Sequence, residues 1–472
     1  MRILQIIKYV EGKVIRALKG ERTFVLKLRA VVAAGFLLMV AGCDTYRPLD
    51  LPAKAALAPD LASLKHDNVS IDRPLTVDDV ATLAVENGPV LLSERRQHGV
   101  ADAQLVQAGL LPNPSFGPIY QFNTYAPNAL NNAWTVSLTY DLRAVLLRPA
   151  LRRSAQYASR QVDAQILWQE WQAMGQARLL AVDLIEGDRQ LSVLERARRL
   201  YETRYEHSTR AMADQNATLA TVIPDLTALQ AARAAVQTLK RLQQTRQQQL
   251  DALLGLDPSV VIPLEPTPGL PPFDPVQVLE RLPHLATFRP DLIALQMGYR
   301  SQDERVWAAI LGQFPAFSFG LAGGIDNTHD YSLGPQPTFD LPIFNHNQGQ
   351  IAIDRATRSL LHDQYQARLT AADGDVRAML AAIALGQRQL DASRREIAAN
   401  RVATDAATRA WSAGDLDELT YVNLVSAQIT KEQQVLDLEQ SVLDQQVAIA
   451  TLTGAGLPPF TQAGSTPDDS HL

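Results

Sequence analysis

Cysteine is almost absent from this chain, since Cys43 is the only one in 472 residues. Disulfide bonds therefore play no part in its stability. The residues after position 43 also contain no apolar run near the 20 residues that a transmembrane helix requires. The sequence thus excludes a disulfide scaffold and predicts no membrane-spanning helix beyond the N-terminal segment.

Motifs for catalysis and metal binding are missing as well. The sequence contains no G-x-x-x-x-G-K-[ST] phosphate loop, no H-E-x-x-H pair and no paired-cysteine metal motif. Its eight histidines are dispersed, and His346 is interpreted as a surface turn residue rather than a ligand. The acidic residues show no spacing typical of paired acid and base catalysts. We therefore predict no enzymatic activity, no catalytic residue, no cofactor and no metal site.

The charge is distributed unevenly along the chain. The whole sequence carries −6, but residues 1–42 hold eight basic and two acidic residues, so the remainder carries −12. Binding to nucleic acid requires basic patches that replace the counterions of the phosphates. The acidic remainder therefore predicts that nucleic acid is not a partner.

The N-terminal segment has the order of a secretory signal. Basic residues such as Lys27 and Arg29 precede the apolar stretch 30–39. The small residues Ala41 and Gly42 then come directly before Cys43. This pattern resembles the lipobox of bacterial lipoproteins, which implies cleavage after residue 42 and acyl chains, palmitate among them, on Cys43. The alternative is a buried structural cysteine.

The rest of the chain is built twice, with matching landmarks about 200 residues apart. The run Leu111–Gly117 is echoed by Phe314–Gly320, and Tyr140–Leu142 by Phe339–Leu341. Seven prolines between the two halves predict an extended connector. We accordingly divide the chain into a signal peptide (1–42), an extended segment (43–74), a first repeat (75–257), a proline-rich link (258–275), a second repeat (276–455) and a flexible tail (456–472).

Each repeat is predicted to contain a helix of about 35 residues, two strands, and two long helices joined by a turn. No proline occurs between Pro149 and Pro224 or between Pro342 and Pro458, and both regions are rich in good helix formers. A helix from Ala150 to about residue 207 would be roughly 85–90 Å long. Helices of that length are expected to lie side by side as a bundle or coiled coil.

Four segments alternate between apolar and small or polar residues, which is typical of β-strands. Each has about ten residues, the length of a strand that crosses a bilayer at a tilt, and an apolar outer face with a polar inner face fits a membrane barrel. Half-buried hairpins of a soluble sheet are the alternative. The four predicted strands are Ser115–Tyr125, Ala133–Leu142, Ala316–Ile325 and Ser332–Leu341.

Four strands cannot close a barrel, and an open sheet edge is excluded inside a membrane. One chain must therefore share its barrel with other copies: two copies would give eight strands and three would give twelve. The prolines of the fourth segment are expected to limit pairing at one edge or to mark bends. Trp168 and Trp171 are interpreted as packing residues on a helix, whereas Trp134 is expected to lie in an aromatic girdle at the membrane interface.

Three further motifs, Gly109–Pro114, Phe339–Phe344 and Trp411–Leu416, accompany these elements in a fixed order. Together they resemble the TolC family of outer-membrane efflux proteins, in its lipoprotein branch, over nearly all of residues 75–455. The resemblance implies a mixed α/β membrane protein of the bacterial outer membrane. It also implies a homotrimeric β-barrel with four strands per chain, continued by a long α-helical barrel in the periplasm.

The resemblance also implies partners and a closable end. The partners are a periplasmic adaptor (membrane fusion protein), an inner-membrane pump such as one of the resistance–nodulation–division type, and outer-membrane lipid. The turns between the long helices, near 213–218 and 412–418, would form the closable inner end. Candidate gate or adaptor-contact residues there are Asp214, Gly414, Asp415, Asp417 and Glu418.

The acids of the second turn have two interpretations. Asp415, Asp417 and Glu418 could form acidic rings that select by charge, or they could be solvated acids that stabilise a helix N-terminus. Gly414 suits a turn because glycine accepts unusual φ values. Asp214 stands where the second repeat has Gly414, so the first turn is expected to be built differently.

The sequence therefore favours a passive trimeric exit duct that works with an adaptor and an energised pump. Three alternatives stay open at this level: an exit channel for type I protein secretion, a periplasmic adaptor lipoprotein, and a soluble lipid-anchored enzyme. The adaptor interpretation leaves the duplicated strands unexplained, and the enzyme interpretation lacks a catalytic constellation.

Overall fold

The computed structural model describes residues 46–122 and 131–454. The predicted signal peptide, Cys43 and the tail 456–472 lie outside the described residues, as do positions 123–125 of the first predicted strand. The segment 46–56 contains no helix or strand. All helices and strands named below follow it.

Helices make up most of the described chain, with a small sheet beside them. The helices are α1 (Val77–Asn87), α2 (Pro89–Gly109), α3 (Leu142–Ala213), α4 (Leu219–Leu254), α5 (Pro275–Arg281), α6 (Leu285–Phe288), α7 (Pro290–Leu311), α8 (Gln348–Ala413) and α9 (Glu418–Thr453). The strands are β1 (Ser115–Gln121), β2 (Ala133–Asp141), β3 (Phe317–Ile325), β4 (Tyr331–Pro335) and β5 (Thr338–Phe339). Short 3-10 turns occupy Leu61–Ser63 and Leu282–His284.

The two repeats have the same order of elements. In each, a helical region leads into a pair of strands, a long helix, a short turn and a helix of 36 residues. The long helices α3 and α8 contain 72 and 66 residues, so α3 is about 108 Å long at 1.5 Å per residue. The internal duplication predicted from the sequence is confirmed in this order.

Two helices of the first repeat contain a proline near their start. We predicted that the long helix starts at Ala150, but α3 begins at Leu142 and contains Pro149, while α4 contains Pro224. Pro149 is the eighth residue of α3 and Pro224 the sixth residue of α4, so each proline removes one intrahelical hydrogen bond near the start of its helix. The carboxylate of Asp141 caps α3 by accepting from the N–H of Ala144 (3.2 Å).

Other prolines divide the leading helix of each repeat, which we predicted to be continuous over about 35 residues. Gly88 and Pro89 separate α1 from α2, and the corresponding region of the second repeat is split into α5, α6 and α7 with Pro283 and Pro290 at the breaks. A proline at the first position of a helix begins it and cannot continue the helix before it. The prediction of one unbroken helix per repeat was therefore wrong.

The sheet is antiparallel in the order β1-β2-β3-β4, and β5 also pairs with β3. The two short strands together occupy the predicted fourth strand, which is interrupted at 336–337. Pro337 has no N–H to donate to a neighbouring strand, which explains the interruption. The sheet thus has four strand positions across its width.

The main apolar core lies where α1, α3, α4 and α9 meet. Its members include Leu83, Ala181 and Leu250, which are fully buried, and Val447. A second core packs α7 and α8 against the end of α9 through Leu292, Val376, Ile383 and Ile449. In the connector after α4, Leu256 and Leu264 form parallel bridges with Ala58 and Leu75. The link between the repeats is thereby held against the segment that precedes α1.

Candidate functional site

One face of the sheet gathers the large apolar side chains of all strands. Tyr120 lies opposite Trp134, which lies opposite Ile325, which in turn lies opposite Tyr331. The same face carries Phe116, Leu138, Leu321, Phe319 and Leu333. Most of these side chains are exposed, to 66% for Phe116 and 83% for Leu333. A contiguous exposed apolar face of this kind marks a surface that contacts a membrane or another protein.

Apart from Ile119, the opposite face carries small or polar side chains. It presents Ser115, Gly117, Ile119, Gln121, Thr135, Ser137, Thr139, Ser318, Gly320, Ala322, Gly324, Ser332, Gly334 and Thr338. Within the described strands, the charged residue on this face is Asp141, at the end of β2 where α3 begins. The two-faced alternation predicted from the sequence is confirmed by this register.

Two glycines of β3 allow the strands to approach closely. A Cβ atom placed on Gly324 would lie 2.1 Å from the carbonyl oxygen of Trp134, and one on Gly320 would lie 2.8 Å from that of Leu138. Backbone atoms cannot move aside as flexible side chains do. Any larger residue at these positions would therefore separate β2 from β3.

Both edges of the sheet are open. Within the described residues, β1 pairs with β2 alone and β4 pairs with β3 alone. The outer N–H and C=O groups of β1 and β4 therefore have no strand partner among these residues. Such edges are templates for pairing with another chain.

Two arginines at the start of α3 join it to the helices that precede the strands. Arg143 donates to the carbonyl of Gly312, just past the end of α7 (2.9 Å), and Arg148 donates to that of Gly109, the last residue of α2 (2.7 Å). Each guanidinium thus satisfies a carbonyl at a helix C-terminus, where positive charge is favourable. The helix that leads into each strand pair is thereby joined to the first long helix.

The turns between the long helices lie where the sequence predicted them, and they differ in construction. In the second turn Gly414 takes a left-handed conformation with φ 85°, and its N–H bonds to the carbonyl of Trp411. In the first turn Asp214 keeps a negative φ and the next residue, Gln215, is left-handed with φ 63°. The predicted difference between the two turns is therefore a shift of the left-handed residue by one position.

Asp417 has a structural task in the second turn. Its carboxylate caps α9, accepting from the N–H of Thr420 (2.9 Å) and from the Thr420 hydroxyl (2.6 Å). These hydrogen bonds lower the pKa of Asp417 below its ordinary value. Asp417 thus caps the N-terminus of α9, where the helix dipole also favours an acid. Asp214 and Asp415 are exposed.

Glu418 joins the two helical pairs. Its Oε1 lies 2.7 Å from Nδ1 of His207 on α3. Three residues before His207, Arg204 forms an ion pair with Asp225 of α4 (2.6 Å), and the two side chains are only 13% and 7% exposed. The rings of Trp411 and Tyr421 stack at 4.5 Å across the second turn.

Sequence reasoning missed His207, Arg204 and Asp225 as residues of this region. They lie on helices among many other charged residues, and nothing in their spacing distinguishes them. Two other sequence interpretations can be placed directly. Trp171 is buried, with its indole N–H bonded to the carbonyl of Thr451 (2.9 Å), and His346 is exposed beyond β5.

Within residues 46–122 and 131–454, no three histidine, cysteine, aspartate or glutamate side chains are grouped in a way that could hold a metal ion. Across the same residues, no helix combines the length and the apolar character needed to cross a membrane.

One family model matches most of the second repeat. Residues 284–455 match the family model described as "Outer membrane efflux protein". No curated protein matches the chain significantly. The match confirms, for the second repeat, the family resemblance drawn from the sequence.

Solved structures share the fold over nearly the whole chain. The outer membrane channel CmeC of Campylobacter jejuni matches with a TM-score of 0.68 at 15% identity, covering 88% of this chain and 95% of its own. The outer membrane protein VceC of Vibrio cholerae matches with a TM-score of 0.65 at 15% identity, covering 80% of this chain and 96% of its own. The outer membrane channel MtrE of Neisseria gonorrhoeae matches with a TM-score of 0.63 at 15% identity, covering 88% of this chain and 99% of its own. These similarities confirm the predicted fold.

Proposed function

We propose that the whole chain is the outer-membrane exit duct of a tripartite efflux system, because residues 284–455 match the family model described as "Outer membrane efflux protein". Three copies form the duct. A periplasmic adaptor and an inner-membrane pump supply the substrate and the energy. The duct itself is passive and has no enzymatic role.

The observation that carries this proposal is the sheet with one apolar face and two open edges. Inside a bilayer every backbone N–H and C=O must be paired, so a lone sheet with free edges is excluded. Pairing β1 of one copy with β4 and β5 of the next leaves no edge when the ring closes. Three copies contribute about twelve strands, which is wide enough for a passage. The apolar face then contacts lipid and the small, polar face lines the channel.

The channel wall supports broad rather than charge-selective passage. Within the described strands its lining is uncharged except for Asp141 at the junction with α3. Apart from Ile119, Gln121 and Asp141, this wall consists of Gly, Ala, Ser and Thr residues, so it offers neither a strong field nor a bulky constriction. Selection among substrates is therefore left to the pump and adaptor.

Cysteine crosslinking tests the ring. In a Cys43→Ser background, Gly334→Cys on β4 is combined in turn with cysteine at Ser115, Gly117, Ile119 and Gln121 on β1. We expect at least one combination to yield covalent dimers and trimers after oxidation in membranes. Gly334 has open space around its Cα, so the substitution itself is tolerated.

The matched control uses two facing residues inside one chain. Ser137 and Ala322 lie opposite each other on β2 and β3, so Ser137→Cys with Ala322→Cys should crosslink within the monomer. Crosslinks confined to monomers for every β1–β4 combination, together with a monomeric mass in detergent, would refute the shared barrel.

We also propose that the chain is a lipoprotein anchored through Cys43 and that the turns 214–218 and 414–417 face the adaptor. The order of basic, apolar and small residues before Cys43 supports the anchor. Incorporation of labelled palmitate into the wild type and not into Cys43→Ser is the expected result. Equal labelling of both proteins would exclude Cys43 as the attachment site.

A further inference from the structure

A polar cluster interrupts the apolar contact between α3 and α9, the helices that join the two repeats. The seam cluster consists of Asp183, Glu186 and Arg189 on α3, Arg246 on α4 and Asp444 on α9. The main apolar core, which includes Leu184 and Val447, lies on one side of it. A smaller apolar cluster that includes Val193, Ile429 and Leu436 lies on the other.

Two acids of the seam cluster have an arginine each. Asp183 pairs with Arg246 (3.0 Å), and both side chains are about 15% exposed or less. Glu186 is fully buried, and both of its carboxylate oxygens accept from Nη1 of Arg189 (2.8 Å). These pairs balance their own charges.

Asp444 is the third acid of the seam cluster. Its Oδ1 atom is buried and has no hydrogen-bond partner among the described residues. Burial and the nearby charge of Asp183 raise the pKa of Asp444 to about 7, against the opposing effect of Arg246. Near neutral pH this side chain therefore changes between a neutral acid and an unpaired negative charge.

The groups around the seam cluster on the same and neighbouring helices are already engaged. Glu439 pairs with Arg189 (3.2 Å) and with Arg394 of α8 (2.8 Å). Asp437, whose pKa is raised by burial, accepts from the amide of Gln190 (3.1 Å), and the amide of Gln440 donates to Asp183. Arg246 is the cation that lies near Asp444, and it is paired with Asp183.

We propose that Asp444 is a pH-sensitive element of the contact between the two repeats: its neutral form holds α9 against α3, and its ionised form loosens that contact. An ionised Asp444 adds an uncompensated charge beside two existing carboxylates in a partly buried place, where repulsion is poorly screened. The neutral acid adds no such charge. The inference does not depend on the proposed function, since every contact in it lies within one chain.

The sign of the pH effect follows from the proton balance. An aspartate in the unfolded chain has a pKa of about 3.9, so the folded form binds the additional proton between that value and about 7. Stability therefore falls as pH rises through this interval and changes no further above it. The α3–α9 contact should be tightest at mildly acidic pH.

Hydrogen exchange of the full-length protein in detergent tests the proposal. Protection factors for peptides covering 436–447 and 180–190 are measured at pH 5.5 and 8.5, each corrected for the chemical exchange rate at that pH. In the wild type we expect protection to fall by about tenfold at the higher pH. Asp444→Asn should keep high protection at both values.

The control variant is Asp405→Asn, which removes an exposed acid from α8 and should retain the wild-type pH response. Size-exclusion chromatography verifies that each variant is assembled. Wild-type protection that is the same at both pH values would overturn the proposal, whether or not the Asn variant folds. Persistence of the full pH response in Asp444→Asn would also overturn it.

Discussion

Nδ1 of His207 lies 2.7 Å from Oε1 of Glu418, so the last turns of α3 are tied to the first residue of α9. The two residues belong to different repeats and lie beside the turns where the long helices reverse. Because α3–α4 and α8–α9 are separate helical pairs, this contact limits how far their ends can move apart.

Removing the tie should favour an open inner end of the proposed duct. Both side chains are more than a third exposed, so each pair contributes only about 0.2–1 kcal/mol, present three times in a trimer. For Glu418→Gln we expect a several-fold higher open fraction in planar bilayers. Glu206→Gln is the control, since Glu206 pairs with Arg210 within α3. An equal open fraction for Glu418→Gln and Glu206→Gln would contradict a role for this contact.

The buried pair Arg204–Asp225 should respond asymmetrically to substitution. Arg204→Met leaves Asp225 buried without its partner, which costs about 3–5 kcal/mol, whereas replacing both partners with apolar residues is often neutral. We therefore expect Arg204→Met to lower the free energy of unfolding far more than the double variant with Asp225→Leu. Denaturant titration in detergent measures both. A double variant as unstable as the single one would show that the pair is not the source of the effect.

Gly324 and Gly334 form a matched pair of sheet positions. A Cβ at Gly324 meets the backbone of Trp134, whereas one at Gly334 has nothing within 4 Å. Gly324→Val should abolish the heat-modifiable, assembled form on gels, and Gly334→Val should leave it intact. Normal assembly of Gly324→Val would mean that β2 and β3 do not approach as closely as described.

Gly414 and Gly374 should respond to alanine with opposite signs. Gly414 has a φ of 85°, a conformation that disfavours a side chain by about 1–2 kcal/mol. Gly374 lies inside α8 with open space around it, where alanine is better by about 0.5–1 kcal/mol. Thermal unfolding should therefore shift down for Gly414→Ala and up for Gly374→Ala. Shifts of the same sign would contradict the assigned turn.

Asp291 should contribute to acid sensitivity. Burial opposes its ionisation, but hydrogen bonds and charge from Arg289 and Arg368 outweigh burial and lower the pKa of Asp291. Its contribution is therefore present above the unfolded pKa of about 3.9 and is lost as pH falls through the lower folded value. Asp291→Asn should lower stability at neutral pH and flatten its decline below pH 4. If Asp291→Asn loses stability below pH 4 as steeply as the wild type does, Asp291 does not contribute to acid sensitivity.

The periodic features of the fold could be predicted from the sequence. Alternation over Ala133–Asp141 identified a two-faced strand because side chains on a strand point to opposite faces in turn. The absence of proline after Pro149 identified most of α3. The exact helix starts could not be predicted, because Pro149 is tolerated inside α3, whose first turns are anchored by contacts from Arg143 and Arg148 to distant helix ends.

The candidate site was predicted only in part, for a related reason. Gly414 and Asp417 act through local turn and cap geometry, which a short stretch of sequence encodes. The contacts of His207 with Glu418 and of Arg204 with Asp225 join residues that are distant along the chain or lie on different helices. Many charged residues on a long helix have the same spacing, so the sequence does not show which of them form pairs. Such pairs can be identified only once the packing of the helices is known.

The open edges of β1 and β4 impose an order on biogenesis in the proposed duct. A single copy would expose unpaired backbone groups to hydrocarbon at several kcal/mol each, so insertion must wait until three copies have met. The rate of appearance in the membrane should then rise more steeply than in proportion to the amount of exported chain. Scarce expression would yield disproportionately few ducts, and a defective copy that still pairs at one edge would inactivate two normal ones.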